Sequence, residues 1–332
     1  MLPDIRKHLD GIRSHLHLAP SIERQIISEL YTHFQEKMAE LQREGITQEE
    51  ATKKSIESFG RARVVARLMY EAYSKGSWAD AFMACLPHLI VAGLFTSHLW
   101  HHYLLAPIAF TSIVCVTLFG WWHGKPNWLY SWIGYSLTPL LIVGYTSRLI
   151  PEQAISFFLR GEGSLSSVGL LALFVIFYIL SLWLIVSTTI RVVRRDWILT
   201  SLMLVPLPIV GCWLFNIEQA GSLFQGSEVM LHQWDMPMAL ALVVLGITSA
   251  TFIRLRQRAL KVGALVTVGS IALTMVAHNL WGSLGFFGLL AFALFMLIFL
   301  FTPALLEAGI GHGEQKRETW WQDGRIEHPS AT

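Results

Sequence analysis

The sequence predicts an all-α protein: a small amino-terminal helical domain followed by a polytopic bundle of about eight transmembrane helices. Three observations lead there. Of 332 residues, 53% are hydrophobic and only 14% charged, where a soluble protein carries about a quarter charged residues. The charge is also unevenly placed: nearly half of the Lys and Arg precede residue 76, interleaved with almost as many Asp and Glu. From Ala79 onward the chain passes through successive apolar stretches of about the 17–25 residues that cross a hydrocarbon core.

Taken in order, Ile5, Leu9, Ile12 and Leu16 recur at steps of four, three and four, which puts one apolar stripe on a first short helix. Pro20 ends the linker after it. Ile22, Ile26, Ile27, Leu30, Tyr31, Phe34, Met38 and Leu41 then line one side of a longer helix that Gly45 stops. Thr47 and Glu50 form a T-x-x-E capping box that starts another helix, running through Ala51, Ser55, Ile56 and Phe59 to Gly60, where glycine can close a helix in the left-handed conformation. Val64, Val65, Leu68, Met69 and Ala72 mark a fourth helix that should end near Gly76. Residues 1–76 are therefore read as one helical domain, although about 75 residues is a marginal size for a core that stands alone.

The run Glu29-Leu30-x-x-His33-x-x-Glu36, with Phe34 beside His33, is followed by the turn at Gly45 and by Glu49, Glu50, Ala51, Ile56, Phe59 and Gly60. This order resembles the small cytoplasmic helical domain called HAAS, or permease prefix domain 1, over roughly the first 75 residues. Arg61 and Ala62 stand where such domains usually continue with an acidic or small residue and a proline. The resemblance implies a membrane-anchored regulatory or accessory module, associated with PadR-type transcriptional regulators or fused to permease-like domains. It brings no catalytic residue with it.

The membrane domain, 77–306, is expected to contain spans at about 79–99, 103–122, 128–147, 165–190, 197–215, 236–253, 263–280 and 284–306, followed by a tail over 307–332. Lys125, Arg191, Arg194, Arg195, Arg254, Arg256, Arg258, Lys261, Lys316, Arg317 and Arg325 fall on one side of these spans. Only Arg148 and Arg160 fall on the other. That bias predicts a multi-pass cell-membrane protein with both termini in the cytoplasm. No apolar core of about 7–15 residues of the signal-peptide kind occurs near the start. Trp78, Trp100, Trp121, Trp122, Trp128, Trp197, Trp213, Trp234 and Trp281 lie near expected span ends, as an interfacial aromatic belt requires.

Sites of chemistry are sparse. No Asp, Glu, Lys or Arg falls in the middle of an expected span, which counts against an ion-coupled transporter. His88 is the deepest ionisable group, expected to be neutral and hydrogen-bonded to a neighbouring helix. His98, His101 and His102 are spaced compatibly with metal ligation, but no Cys or carboxylate joins them in sequence, so no metal site is assigned. The chain has no P-loop, H-E-x-x-H, G-x-S-x-G or glycine-rich dinucleotide motif. An enzyme is not expected, and neither a catalytic residue nor a cofactor is assigned.

Lys53, Lys54, Arg61, Arg63 and Arg67 form a basic cluster ahead of the membrane that can meet anionic headgroups or dock a protein partner. Direct nucleic-acid binding is not expected, since the basic balance is not one-sided. The expected partners are the lipid bilayer and a cytoplasmic transcriptional regulator. The leading expectation is a regulatory or signalling membrane protein; the alternative is a transporter or permease component for an apolar or lipid-like substrate.

Overall fold

The structure, a computed structural model, describes residues 3–18, 20–102, 104–146, 159, 165–219, 232–277 and 281–310, all of them helical or in short connections. The amino-terminal module comprises α1 (Pro3–Leu16), α2 (Pro20–Arg43), α3 (Gln48–Phe59) and α4 (Ala62–Tyr73). The apolar bundle comprises α5 (Trp78–Thr96), α6 (Leu105–Trp122), α7 (Leu129–Thr146), α8 (Leu165–Val193), α9 (Trp197–Leu204), α10 (Pro206–Gln219), α11 (Asp235–Arg254), α12 (Arg258–Ala277) and α13 (Trp281–Ile310). With α9 and α10 counted as one broken span, seven helices among the described residues are long and apolar enough to cross a membrane, and α7 adds a shorter apolar helix over Leu129–Gly144. The protein is membrane-embedded. Most of the connection over 148–164, the connection over 220–231 and the tail beyond residue 310 lie outside the described residues.

In the module, Ile5, Leu9, Ile12 and Leu16 are buried against Ile26, Ile27, Leu30 and Phe34 of α2, as their spacing requires. Phe34 stacks on Phe59 with ring centroids 4.0 Å apart, which joins α3 to the same core. The Thr47 hydroxyl accepts the Glu50 amide at 3.4 Å, and Gly60 closes α3 at a φ of 82°. The buried face of α4 differs from the sequence expectation. Val65, Ala66 and Tyr70 face the core with Met69 packed beside them, whereas Val64 and Leu68 are exposed. Two apolar stripes compete on this helix, and contact with α1 selects the one that includes Tyr70.

The bundle is organised around α5 and α11, which run antiparallel and make its most extensive helix pairing. Lipid gives no hydrophobic reason for two apolar helices to associate, so they rely on close contact between small residues. Ala81, Ala84 and Ala92 of α5 and Ala239, Ala241, Gly246 and Ser249 of α11 are buried. A methyl group placed on Gly246 would meet Cys85 Sγ at 2.9 Å and His88 Cβ at 3.2 Å, so the contact leaves no room for a side chain. At the other close approach, a Cβ on Gly134 of α7 would lie 2.1 Å from the carbonyl oxygen of Met203 in α9. The α9–α10 span is the enclosed centre, 78% buried along its most apolar stretch, while the corresponding stretch of α8 is 11% buried.

Prolines inside membrane helices free carbonyls that must find donors elsewhere. Pro87 removes the amide that would pair with the Met83 carbonyl, and Trp132 Nε1 of α7 donates to that oxygen at 2.7 Å. Pro139 does the same to Tyr135, whose carbonyl accepts from the Thr138 hydroxyl at 2.8 Å. Two sequence expectations need correction. The helix α12 begins at Arg258 and not at 263, so Lys261 is buried inside it and is not a loop cation. Trp213 is buried against Phe95 and Trp100 and is not part of a surface belt, although Trp78 and Trp122 are exposed. Ser77 and Asp80 form a complete capping box that starts α5.

The two glycine contacts order a stability series. Gly134→Ala should destabilise the bundle most, on the order of 3 kcal/mol, because the obstructing atom is backbone, and Gly246→Ala by about 1–2 kcal/mol. Gly93→Ala, whose Cβ would meet no atom within 4 Å, should be neutral or mildly stabilising, since Ala is the better helix former by up to about 1 kcal/mol. Thermal unfolding in detergent micelles measures the order; a neutral Gly134→Ala would contradict the α7–α9 contact.

Candidate functional site

Polar groups gather at the two ends of the α5–α11 pair. At the end nearer the module, the backbone after α4 is fastened to the end of α11. The Gly76 amide donates to the Ile253 carbonyl at 2.9 Å, Arg254 donates back to the Gly76 carbonyl at 2.8 Å, and the Ser74 hydroxyl donates to the Arg256 carbonyl at 3.0 Å. The Arg254 guanidinium also lies 4.2 Å from the centroid of the Trp78 ring. Gly76 is needed here because a Cβ would lie 2.4 Å from Ile253 Cγ2.

Deeper in the same junction, Lys261 Nζ donates to the Tyr70 hydroxyl at 3.2 Å, so a residue of the module core and a buried membrane-helix lysine meet directly. Burial raises the Tyr70 hydroxyl above its ordinary range, with the Asp196 carboxylate adding to the effect, and the phenol stays protonated. Asp196, itself buried, caps α9 by accepting the Ile198 amide at 3.1 Å and accepts from Arg258 at 2.8 Å. Beside it Arg195 donates to the Lys125 carbonyl at 3.0 Å and to the Tyr130 hydroxyl.

The five basic residues singled out in the sequence are all exposed, but they do not form one patch of uniform surroundings. Arg63 and Arg67 line a cavity of about 660 Å³ between module and bundle, together with His15, His17, Tyr70 and Arg258. Lys53 instead borders a recess with Asp4, Glu49, Glu50 and Glu57. A feature the sequence did not suggest is a groove of about 550 Å³ between α2 and α4, where the exposed Leu68 lies beside Met69 and Phe59 under a rim of Glu36, Lys37 and Glu40.

At the opposite end, α5 closes with the Leu99 amide donating to the Leu94 carbonyl at 2.8 Å and the His98 amide to the Phe95 carbonyl at 3.0 Å. This is the Schellman closure, whose left-handed position ordinarily holds glycine. Here it holds His98, at a φ of 56°, where a side chain costs about 1–2 kcal/mol. The turn aims the imidazole at the start of α11. His98 Nδ1 lies 2.5 Å from Asp235 Oδ2 and His232 Nδ1 lies 2.7 Å from the same oxygen, while Trp100 Nε1 donates to Oδ1 at 2.8 Å. The Asp235 side chain is only 1% exposed, His232 is 23% and His98 55%.

Of the three histidines flagged by spacing, His98 joins this cluster and His101 packs against His232, with ring centroids 5.0 Å apart. His102 has a different role: its Nδ1 accepts the Leu104 and Leu105 amides at the start of α6. The sequence reading missed His232 and Asp235 because Asp235 lies 137 residues beyond His98. The local signal was an H-x-x-D pair at the mouth of an apolar helix. His88 is buried and faces Ser249 Oγ at 3.3 Å across the α5–α11 seam, as expected. Next to the far-end cluster an apolar cavity of about 160 Å³ is lined by Val91, Phe95, Trp100, His101, Tyr135 and Trp213.

The chain matches no family model, no curated protein and no solved structure.

The Asp196–Arg258 pair at the junction can be tested by a double-mutant cycle. Arg258→Met should destabilise the protein by on the order of 2–3 kcal/mol, since it leaves the buried Asp196 carboxylate without its ion partner. Adding Asp196→Asn, which keeps a good helix cap, should restore most of the loss. Equal unfolding temperatures for the single and double variants would contradict the pairing.

Proposed function

We propose that this is a regulatory membrane protein. In this reading the amino-terminal module lies in the cytoplasm and binds a soluble regulator, PadR-type by the module's resemblance to HAAS domains, and the bundle anchors it in the cell membrane and reports on the far side. The observation that carries the reading is the path through α5 and α11. The same two helices hold the module at one end and the His98–His232–Asp235 cluster at the other. Their close seam lets a displacement at one end reach the other.

The orientation draws support from the gathering of Lys125, Arg195, Arg254 and Arg258 at the module end, which is the positive and therefore cytoplasmic side. Both termini then lie in the cytoplasm. Docking is assigned to the exposed basic residues Lys53, Lys54, Arg61, Arg63 and Arg67 and to the groove that holds Leu68. Neither a catalytic role nor direct nucleic-acid binding enters this reading. The transporter alternative draws on the far-end apolar cavity. At about 160 Å³ it accepts a benzene-sized group but not a lipid chain, so the regulatory reading is preferred.

Two measurements test this. Reporter fusions after Lys125, Arg195 and Arg256 should report cytoplasm, and fusions within 148–164 and 220–231 should report the opposite side; reversal at two sites would overturn the orientation. Full-length protein in nanodiscs should retain a PadR-type regulator from the same cell. Arg61, Arg63 and Arg67 changed together to Glu should weaken that retention at least tenfold with helicity unchanged, and Leu68→Asp tests the groove in the same way. Retention undiminished in both variants would sink the proposed docking face.

A further inference from the structure

The cluster at the far end has more structure than a satisfied hydrogen bond needs. A buried aspartate could be served by backbone amides or by one indole. Instead two histidines from separate segments direct Nδ1 at one carboxylate oxygen, and one of them occupies a left-handed turn position that favours glycine. One ring nitrogen each of His98 and His232 and a carboxylate oxygen of Asp235 lie within 4.8 Å of one another. We propose that His98, His232 and Asp235 form a binding site for a divalent transition-metal ion of the zinc type.

The donor set selects the class of ion. Two imidazole nitrogens and one carboxylate oxygen suit zinc, cobalt or nickel, whereas calcium and magnesium favour all-oxygen shells. Three protein ligands leave one position of a tetrahedral shell for water or for a fourth group. His101, packed on His232 with ring centroids 5.0 Å apart, is a further imidazole beside the site. The outer shell is already in place: Trp100 Nε1 holds Asp235 Oδ1 at 2.8 Å and leaves Oδ2 turned toward the histidines. Such partners orient a ligating carboxylate and raise affinity. The exposed edge of His98 provides the entry path.

The hydrogen-bonded and metal-bound states exclude one another. A proton on Nδ1 makes each short contact to Asp235, and a metal takes those nitrogens only when the protons are on Nε2 or gone. Bonds of about 2.0–2.1 Å at near-tetrahedral angles place ligand atoms about 3.3 Å apart, against 2.5 and 2.7 Å here. Binding therefore moves the end of α5 slightly away from the start of α11. The three ligands stand together whether or not the module engages a regulator.

The test uses full-length protein without a polyhistidine tag, in nanodiscs, stripped with a chelator and titrated with Co²⁺ and then Zn²⁺. The expected result is about one equivalent of Co²⁺ with visible ligand-field absorption, displaced by Zn²⁺. His98→Ala and His232→Ala should each weaken binding at least tenfold, and His102→Ala should leave it unchanged. His98 is half-exposed, so its loss should not unfold the protein, and the wild-type titration decides the matter even if Asp235→Asn fails to insert. No saturable Co²⁺ binding by the folded wild type, or binding that His98→Ala does not weaken, would show that the cluster is a hydrogen-bonded latch only.

Discussion

Everything else in this molecule depends on the antiparallel seam between α5 and α11. In water two apolar surfaces associate because water is expelled, but between lipid-soluble helices that force is absent and close packing has to replace it. The seam meets this demand with alanines, a glycine and a serine, and with Gly246 set against Cys85 and His88 so closely that no methyl group fits. A contact that tight joins two helices into one body. Because they are antiparallel, their ends are paired: Thr96 and Asp235 at one end, Trp78 and Arg254 at the other. Both polar assemblies of the protein are built on these paired ends.

The placement of polar groups follows from the same solvent. Uncompensated amides and carbonyls are costly in hydrocarbon, and each helix-interior proline creates one. The carbonyls released by Pro87 and Pro139 are taken up by Trp132 and Thr138, one across helices and one within a helix. Deeper in the bundle, Ser201 donates to the Leu300 carbonyl at 2.7 Å and Asn216 to the Val276 carbonyl at 3.2 Å. Among the described residues, the Asp, Glu, Lys and Arg side chains of the bundle are kept to the helix ends, where Asp196 meets Arg258 and Asp235 meets its histidines. His88 is buried within α5, where it faces Ser249.

Much of this was legible in the sequence, and the failures have physical causes. The stripe Ile5, Leu9, Ile12, Leu16 has a single solution, as do the stops at Gly45 and Gly60, because local periodicity and backbone freedom decide them. On α4, Val64 and Leu68 are as apolar as Val65 and Met69, so the sequence offered two faces and only packing against α1 chose between them. Lys261 misled because a cation after an apolar run ordinarily marks a loop; here Tyr70 from the module covers it, a contact between residues far apart in the chain. The membrane spans were visible from composition alone. The His98–His232–Asp235 cluster was not, since spacing detects ligands on one helix and these come from two segments far apart in the chain that meet at one end of a helix pair. His102, correctly spaced, was diverted to capping α6.

The sparse burial of α8 bears on how much of the chain is under specific demand. Its residues from Val175 to Tyr178 and from Ile179 to Trp183 are mostly exposed, an apolar surface suited to hydrocarbon. A surface that only has to dissolve in lipid constrains the kind of residue and not its identity or order. Leucine, isoleucine, valine and phenylalanine are close to interchangeable there, so α8 holds little of the information that specifies the fold. That information is concentrated in the small residues of the central seam, where the difference between glycine and alanine is the difference between contact and collision.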